Sequence, residues 1–250
     1  MQIKGRSLAG LVVVVTGATS GIGRAVAGAF AAEAEGLVGF GRSATDAASI
    51  GCPAGTPNVV AIAGNIADPG DVERLIGQTI TRFSRIDVLV SCAGIFPKGR
   101  FLDVPQGAWR EAVETNVLGF AALCRGVLPH MMEAGSGRIV NLATRLAAAP
   151  GKGMSAYAAS KAGASVLTRC IAAEIDRARY PDILINDLIP GPTRTRMNED
   201  GQDPADVVTF VRDLVVLPSG GPSGKSFFKG QEYPSRGLRG WLGNIFTKSR

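Results

Sequence analysis

Short runs of apolar residues alternate with segments of helical character along most of this chain, and this alternation restricts the fold more than any other feature. The first run, residues 11–15, is continuously apolar, as expected for a parallel strand that is covered on both faces. Repeated strand–helix alternation produces βαβ units, a parallel sheet and helices on both sides of it. We therefore predict an α/β fold with a doubly wound parallel sheet.

The remaining elements follow in the same order along the sequence. Asp68 is placed to cap a helix over residues 68–83, and a long helix over residues 108–135 is expected to end at Gly135. Further strands are predicted in the sequences GLVGFGRS, NVVAIAGNI, IDVLVSCAG, GRIVNLAT and DILINDLIPG. The pattern weakens near Thr193, so residues 193–250 are expected to form an irregular lid with one more helix and a last strand. A chain of 250 residues with 46% hydrophobic residues suits one domain spanning residues 1–250.

Composition and charge argue against several classes of function. The net charge is +6, which mildly favours anionic ligands. The basic residues are scattered rather than clustered, so we expect no nucleic-acid interface. One histidine, His130, and four separated cysteines give no pattern for a metal site, and we expect no metal. The four are expected to be free buried thiols: Cys52, Cys92, Cys124 and Cys170.

Location is predicted from the apolar segments. No apolar run approaches the roughly 18 residues of a membrane span, and the first residues lack the apolar core of a signal peptide. We therefore expect no membrane span and a cytoplasmic location. The basic segment 236–250 fits a packed or frayed end, or contact with a partner or a membrane surface.

Three glycines follow the first strand and open the first helix. Gly17, Gly21 and Gly23 would bring backbone N–H groups and a helix N-terminus close to a pyrophosphate. The alternative is that they only pack the helix against the strand. A second glycine-rich stretch, SGGPSGKS, has Ser219 where a phosphate-binding P-loop needs glycine, so we interpret it as a flexible loop.

Tyr157 and Lys161 lie four positions apart among small residues, in the sequence SAYAASKAG. In a helix these two side chains share one face, so a phenol and an amine would meet in one pocket. The alternative is that both are ordinary surface residues of a helix.

Taken together, these motifs resemble the short-chain dehydrogenases/reductases, over about residues 8–196. The resemblance rests on TGATSGIG at residues 16–23, TNVLG around Asn116, YAASK around Tyr157, and PGPTRT at residues 190–195. It implies a Rossmann-like fold, a nicotinamide cofactor and a small carbonyl or alcohol substrate. It also implies a homodimer or homotetramer.

The resemblance implies four catalytic residues. Tyr157 would act as acid and base, and the neighbouring Lys161 ammonium would favour its phenolate and bind the nicotinamide ribose. Asn116 would position a water that relays protons to Lys161. Thr144 stands where the family usually has a serine that polarises the substrate carbonyl, and it keeps the hydroxyl donor.

The same comparison marks the cofactor site and its departures from the family pattern. Ser91 and Cys92 replace two asparagines, and Asn65 replaces an aspartate that often meets adenine, so we expect a lower cofactor affinity. Arg42 and Ser43 follow the second strand where a carboxylate would select NAD, so NADP(H) is favoured over NAD(H). The cofactor-binding residues are predicted to be Gly17, Thr19, Ser20, Gly21, Ile22, Gly23, Arg42, Ser43, Asn65, Ile66, Ala93, Gly94, Tyr157, Lys161, Pro190, Gly191, Thr193 and Thr195.

The predicted function is NADP(H)-dependent interconversion of a ketone or aldehyde with an alcohol by hydride transfer. Its main alternative is a cofactor-binding redox sensor or scaffold with little or no catalysis, which the departures at Asn65, Ser91, Cys92 and Thr144 favour. A reductase of carbon–carbon double bonds and an epimerase stay open as well. The substrate is not predicted.

Overall fold

A computed structural model describes residues 7–233 of the chain. These residues build one eight-stranded sheet in the order β3-β2-β1-β4-β5-β6-β7-β8. Strands β1 to β7 are parallel, and β8 pairs with β7 in the antiparallel sense. The strands are β1 Val12–Thr16, β2 Gly36–Gly41, β3 Val59–Ala63, β4 Val88–Ser91, β5 Ser136–Leu142, β6 Asp182–Ile189, β7 Ser226–Phe228 and β8 Gln231–Tyr233. The predicted α/β, Rossmann-like class is confirmed.

Helices cover both faces of the sheet. They are α1 Gly21–Phe30, α2 Pro69–Phe83, α3 Gln106–Val113, α4 Phe120–Ala134, α5 Ser155–Glu174 and α6 Pro204–Val215. Helices α1 and α6 pack together on one face, and α2, α4 and α5 lie on the other. None of the helices within residues 7–233 is both long and apolar enough to span a membrane.

The helices on both faces of the sheet explain why the sequence of β1 is apolar throughout. Val13 and Val15 belong to the hydrophobic core under α1 and α6, while Val14 belongs to the core under α2 and α4. All five residues of β1 are buried. Alternate side chains of a strand point to opposite faces, so a strand covered on both faces must be apolar throughout.

Most predicted helix ends are confirmed. The Asp68 carboxylate accepts hydrogen bonds from the backbone N–H groups of Gly70 and Asp71 and caps α2. Gly135 ends α4 in the left-handed conformation, with a φ of 71°. The predicted long helix is continuous from α3 to α4, but Glu114–Gly119 forms a π-helical turn in its middle.

Two predictions need correction. Residues 226–233 form two short strands where one was expected. Cys170 is exposed on α5 and Cys92 is half-buried, so the expectation of four buried thiols holds for Cys52 and Cys124 only. Apolar residues lie on both sides of Cys170 in the sequence, and they do not by themselves show which face of the helix it occupies. All four thiols are free, as predicted.

A buried ion pair joins β5 to β6 at the edge opposite the carboxyl ends of the strands. The Arg138 guanidinium lies 2.7 Å from the Asp182 carboxylate, with side chains only 4% and 12% exposed. The same guanidinium donates to the backbone carbonyl of Leu217 at 2.7 Å. The network therefore fixes the segment after α6 to the centre of the sheet.

We predict that Arg138→Ala lowers the free energy of unfolding by about 3–5 kcal/mol, because it removes the buried guanidinium that pairs with the Asp182 carboxylate and binds the Leu217 carbonyl. Chemical denaturation followed by circular dichroism measures the change. Arg125→Ala on the exposed side of α4 is the control and should change stability by less than about 0.5 kcal/mol. Equal stability of the two variants would contradict a structural role for the pair.

Candidate active site

A cavity of about 620 Å³ opens at the carboxyl ends of β1, β4, β5 and β6. Parallel sheets of this topology place their ligand crevice here, since the connections diverge on either side of the β1–β4 pair. Fourteen of the predicted site residues line this cavity: Gly17, Ser20, Gly21, Ile22, Gly23, Ala93, Gly94, Thr144, Tyr157, Lys161, Pro190, Gly191, Thr193 and Thr195.

Six predicted site residues do not line it. Thr19 lies against Gly41, and Arg42 and Ser43 are exposed just beyond that strand end. Asn65 is exposed and its amide oxygen accepts from the N–H of Ala67 in its own turn.

The other two are buried. Ile66 is 5% exposed and packs in the core on the α2 and α4 side, and Asn116 is 2% exposed beneath the cavity floor. Ile66 was predicted to bind the cofactor and Asn116 to position a water, and neither residue lines the cavity.

The glycine turn places the start of α1 at the cavity. Ser20 precedes the helix in an extended conformation, and its hydroxyl makes no capping hydrogen bond. The first backbone N–H groups of a helix, here those of Gly21, Ile22 and Gly23, have no acceptor within the helix. No acidic residue occupies the first turn of α1, so the site suits a phosphate group.

The same glycines also have a packing role. A Cβ at Gly23 would lie 2.4 Å from the Gly17 carbonyl oxygen, and one at Gly17 would lie 2.8 Å from the Ala93 nitrogen. Gly21 adopts a φ of 51° and faces the Thr195 methyl group. The glycines therefore pack the start of α1 against the ends of the strands, and their role as an anion-binding turn stays a prediction.

Thr144 and Tyr157 form a hydroxyl pair in the cavity wall. Thr144 lies two residues beyond the end of β5, and its hydroxyl oxygen accepts from the N–H of Leu146 at 3.3 Å. Burial raises the pKa of the Tyr157 phenol, and the neighbouring Thr144 hydroxyl lowers it by less, so the net pKa is raised. The Phe96 ring packs on the Tyr157 ring with centroids 4.3 Å apart.

Lys161 lies one helical turn beyond Tyr157 and is 6% exposed. Its ammonium donates to the Leu142 backbone carbonyl at 2.7 Å. Burial lowers the pKa of Lys161 to about 8, against the opposing effects of Asp187 and Cys92. The amine therefore titrates close to neutral pH.

The expected effect of Lys161 on the Tyr157 phenol stays a prediction. Burial raises the phenol pKa, and the Lys161 ammonium donates to the Leu142 carbonyl. Both side chains line the same cavity.

Asn116 sits in the π-helical turn and connects two parts of the site. Its amide oxygen accepts from the Ile95 N–H at 2.9 Å, and its amide nitrogen donates to the Ile95 carbonyl and the Ser160 hydroxyl. These bonds tie the loop after β4 to α5. The same loop contains Gly94, where a Cβ would lie 2.9 Å from the Asn116 oxygen.

Comparison with known proteins agrees with this geometry. A model of the short chain dehydrogenase family matches residues 11–205. The chain belongs to the short-chain dehydrogenase family. It is 32% identical over 197 residues to a 3-oxoacyl-[acyl-carrier-protein] reductase of Synechocystis, an alignment covering 78% of each protein.

Two further relatives come from other bacteria. The chain is 35% identical over 194 residues to 2-(R)-hydroxypropyl-CoM dehydrogenase of Xanthobacter autotrophicus, covering 75% of this chain and 76% of that protein. The crystal structure of a 3-ketoacyl-(acyl-carrier-protein) reductase from Brucella melitensis complexed with NADH superposes with a TM-score of 0.80 at 25% identity. It matches 89% of this chain and 97% of that one.

The departures from the family pattern have distinct consequences. Cys92 lines the cavity, and burial raises its pKa to about 12, so it is an uncharged thiol near neutral pH. Ser91 is buried within β4 at 2% exposure and does not reach the cavity. Only one of the two substitutions therefore alters the cavity surface.

Sequence reasoning missed part of the cavity wall. Lys98 and Arg145 line it, although neither was singled out, and Arg145 could have been noticed because it directly follows Thr144. The other residues missed are Phe96, Leu142, Ala143, Leu146, Ala149, Met154, Ile189, Pro192, Asn198 and Tyr233. Leu142, Ile189 and Tyr233 are the last residues of strands, and most of the others come from loops whose paths depend on tertiary packing.

A buried carboxylate lies near Lys161 and was also missed. Asp187, on β6, is 1% exposed and accepts hydrogen bonds from Asn141 at 2.8 Å and Thr168 at 2.7 Å. Burial raises the pKa of Asp187, while these bonds and the Lys161 charge lower it. The carboxylate in turn raises the pKa of Lys161, so the two buried charges support each other.

We predict that Asp187→Asn lowers the Lys161 pKa below its value of about 8, because it removes the negative charge that stabilises the ammonium. The proton then leaves Lys161 at lower pH than in the parent protein. Titration of lysine ¹³Cε signals by NMR measures the shift. Glu174→Gln, at the exposed end of α5, should leave that titration unchanged, and an unaltered or raised Lys161 pKa in Asp187→Asn would contradict the coupling.

Proposed function

We propose that this protein is an NADP(H)-dependent oxidoreductase that interconverts a ketone or aldehyde with an alcohol. The observation that carries the proposal is that the Thr144 and Tyr157 hydroxyls line one cavity wall, one helical turn from the buried Lys161. A carbonyl oxygen needs donors of this kind when it gains negative charge.

The cavity fits a nicotinamide dinucleotide. The N-terminus of α1 offers backbone donors and the free Ser20 hydroxyl to a pyrophosphate, with no acidic residue in its first turn. The same cavity is lined by Pro190, Gly191, Pro192, Thr193 and Thr195, and Thr195 lies against Gly21 at the start of this helix. When bound, the nicotinamide would supply or accept the hydride. The Brucella relative was crystallised with NADH, which supports this class of cofactor here.

The chain's own residues would manage the proton and the charge. Thr144 accepts from the Leu146 N–H, which leaves its single hydroxyl proton free to donate to a carbonyl oxygen. Tyr157 would give its proton to the oxygen during reduction and take it back during oxidation. The raised phenol pKa keeps this proton in place before the reaction.

Lys161 and Asn116 would support this exchange. The charged Lys161 would favour the phenolate as it forms and hold the cofactor's ribose. Asn116 fixes the loop beside Lys161 through Ile95 and Ser160. Its role in a water relay stays a prediction.

The names of the relatives suggest where to begin with substrates. One acts on a 3-oxoacyl group on acyl carrier protein and another on 2-(R)-hydroxypropyl-CoM, so ketones and secondary alcohols are the first compounds to test. A homodimer or homotetramer also stays a prediction. Leu118 and Val166 are 57% and 46% exposed, and such apolar exposure supports an association between copies.

We predict that Tyr157→Phe lowers turnover by about 100- to 10,000-fold, because the proton donor is lost. Binding of NADPH, followed by its fluorescence, should be unchanged. Tyr180→Phe, at a distant ring stacked under Arg179, is the control and should retain full activity. Undiminished ketone reduction by Tyr157→Phe would contradict the proposed mechanism, and tight NADPH binding without turnover by the parent protein would favour the sensor alternative.

We predict that Arg42→Ala weakens NADPH binding by about 10- to 100-fold, because a charge-assisted bond to the 2′-phosphate is lost. NADH binding should hardly change, since NADH lacks that phosphate. Arg82→Ala, which removes an exposed arginine bonded to Asn58, is the control. Equal effects of Arg42→Ala on both nucleotides would show that Arg42 does not select NADP(H).

A further inference from the structure

The cavity is lined by cations without any opposing acid. Lys98, Arg145, Lys161 and Arg196 all line it, and within residues 7–233 no aspartate or glutamate does. A concave surface that carries charges of one sign concentrates ligands of the opposite sign. The cavity therefore favours an anion.

Three of these cations are not neutralised by neighbouring acids. Lys98, Arg145 and Arg196 are exposed and form no ion pair with any residue in the described part of the chain. Arg194, only two positions before Arg196, differs because its guanidinium lies 2.9 Å from the Asp203 carboxylate. Of Arg194 and Arg196, only the unneutralised one therefore lines the cavity.

Lys98 and Arg145 lie next to the Thr144–Tyr157 pair. Arg145 directly follows Thr144, and its guanidinium sits 5.2 Å from the centre of the Phe228 ring. The Lys98 ammonium sits 4.9 Å from the centre of the Phe96 ring, which packs on Tyr157. Aromatic rings therefore support both cations at the place where a carbonyl would meet its donors.

Arg145 is separate from the part of the cavity beside the glycine turn, where we propose that the dinucleotide binds, whereas Lys98 follows β4, the strand next to β1. Arg145 follows β5, which is two strands away from β1 and its glycine turn, a distance of roughly 10 Å. Phe228, the ring that supports Arg145, belongs to β7, still farther from β1. Arg196 differs, because its neighbour Thr195 contacts Gly21 in that turn, so it is as well placed for a cofactor phosphate.

We propose that the substrate is a small ketone that carries an anionic group, namely a carboxylate, sulfonate or phosphate, and that Arg145 and Lys98 bind that group. The apolar side chains of Leu146 and Met154 line the same cavity and fit the carbon chain between the two ends. This inference rests on the proposed reaction and names its substrate class.

The first test compares matched substrates. The probes are 4-oxopentanoate and its methyl ester, which differ in charge and share the same ketone. We expect kcat/KM to be about 10- to 100-fold higher for the acid, because charge-assisted bonds hold it. Arg145→Gln and Lys98→Gln should each reduce this ratio by about tenfold or more while leaving kcat/KM for the ester unchanged. Arg194→Gln, which removes the neutralised arginine, should keep the full ratio.

A second measurement needs no turnover. Isothermal titration of the protein with 4-oxopentanoate should show binding that weakens in Arg145→Gln and at high salt, but not in Arg194→Gln. Binding that is equal in Arg145→Gln and the parent protein would overturn the inference, whether or not the protein is active.

The two proposals fail in different ways. If the ester is reduced as efficiently as the acid, the substrate class is wrong and the proposed reaction stands. If neither compound nor any neutral ketone is reduced, the proposed reaction is wrong. The anion site is then tested by the calorimetric titration with 4-oxopentanoate, which requires no turnover. If Arg145→Gln lowers activity only with a substrate carried on acyl carrier protein, then Arg145 binds the acidic carrier, and the proposal of a small anionic substrate is wrong.

Discussion

The site depends on a close approach of two backbone segments at the ends of β1 and β4. The Gly17 Cα faces the Ala93 backbone so closely that a Cβ would lie 2.8 Å from its nitrogen, and Gly23 approaches the Gly17 carbonyl within the same turn. No side chain fits in either contact. Because the turn closes in this way, the N-terminus of α1 lies beside the strand that leads to Phe96 and Lys98. The dinucleotide part of the cavity and the carbonyl part are therefore neighbours.

Buried charge is the second constraint on this cavity. The Lys161 ammonium is held by one backbone carbonyl, with Asp187 as a more distant carboxylate. A buried ammonium without compensation would lose its proton. Asn141 and Thr168 keep the carboxylate in place by hydrogen bonds, so the protonation of Lys161 depends on side chains that never reach the cavity surface.

Much of this arrangement could be predicted from the sequence. Continuous apolar strands and helix caps such as Asp68 indicate the element order, and parallel strands bring their carboxyl ends to one edge. The pairing of Thr144 with Tyr157 was expected from the resemblance to the family. The hydrogen-bond partner of Lys161 could not be predicted, because Lys161 meets the Leu142 carbonyl only when α5 packs on the sheet. Asp187 was missed for a similar reason, since a strand aspartate is buried only once β5 and α5 enclose it.

The central claim is that a hydride passes between the nicotinamide C4 and a substrate carbonyl carbon while Tyr157 exchanges the proton. The most direct measurement supplies NADPH with deuterium at the transferred C4 position, together with a ketone, and analyses the alcohol by mass spectrometry and NMR. The account predicts one deuterium on the carbinol carbon, in amounts equal to the NADPH oxidised. Alcohol formed without deuterium at that carbon, or tight nucleotide binding with no alcohol from any ketone, would contradict it.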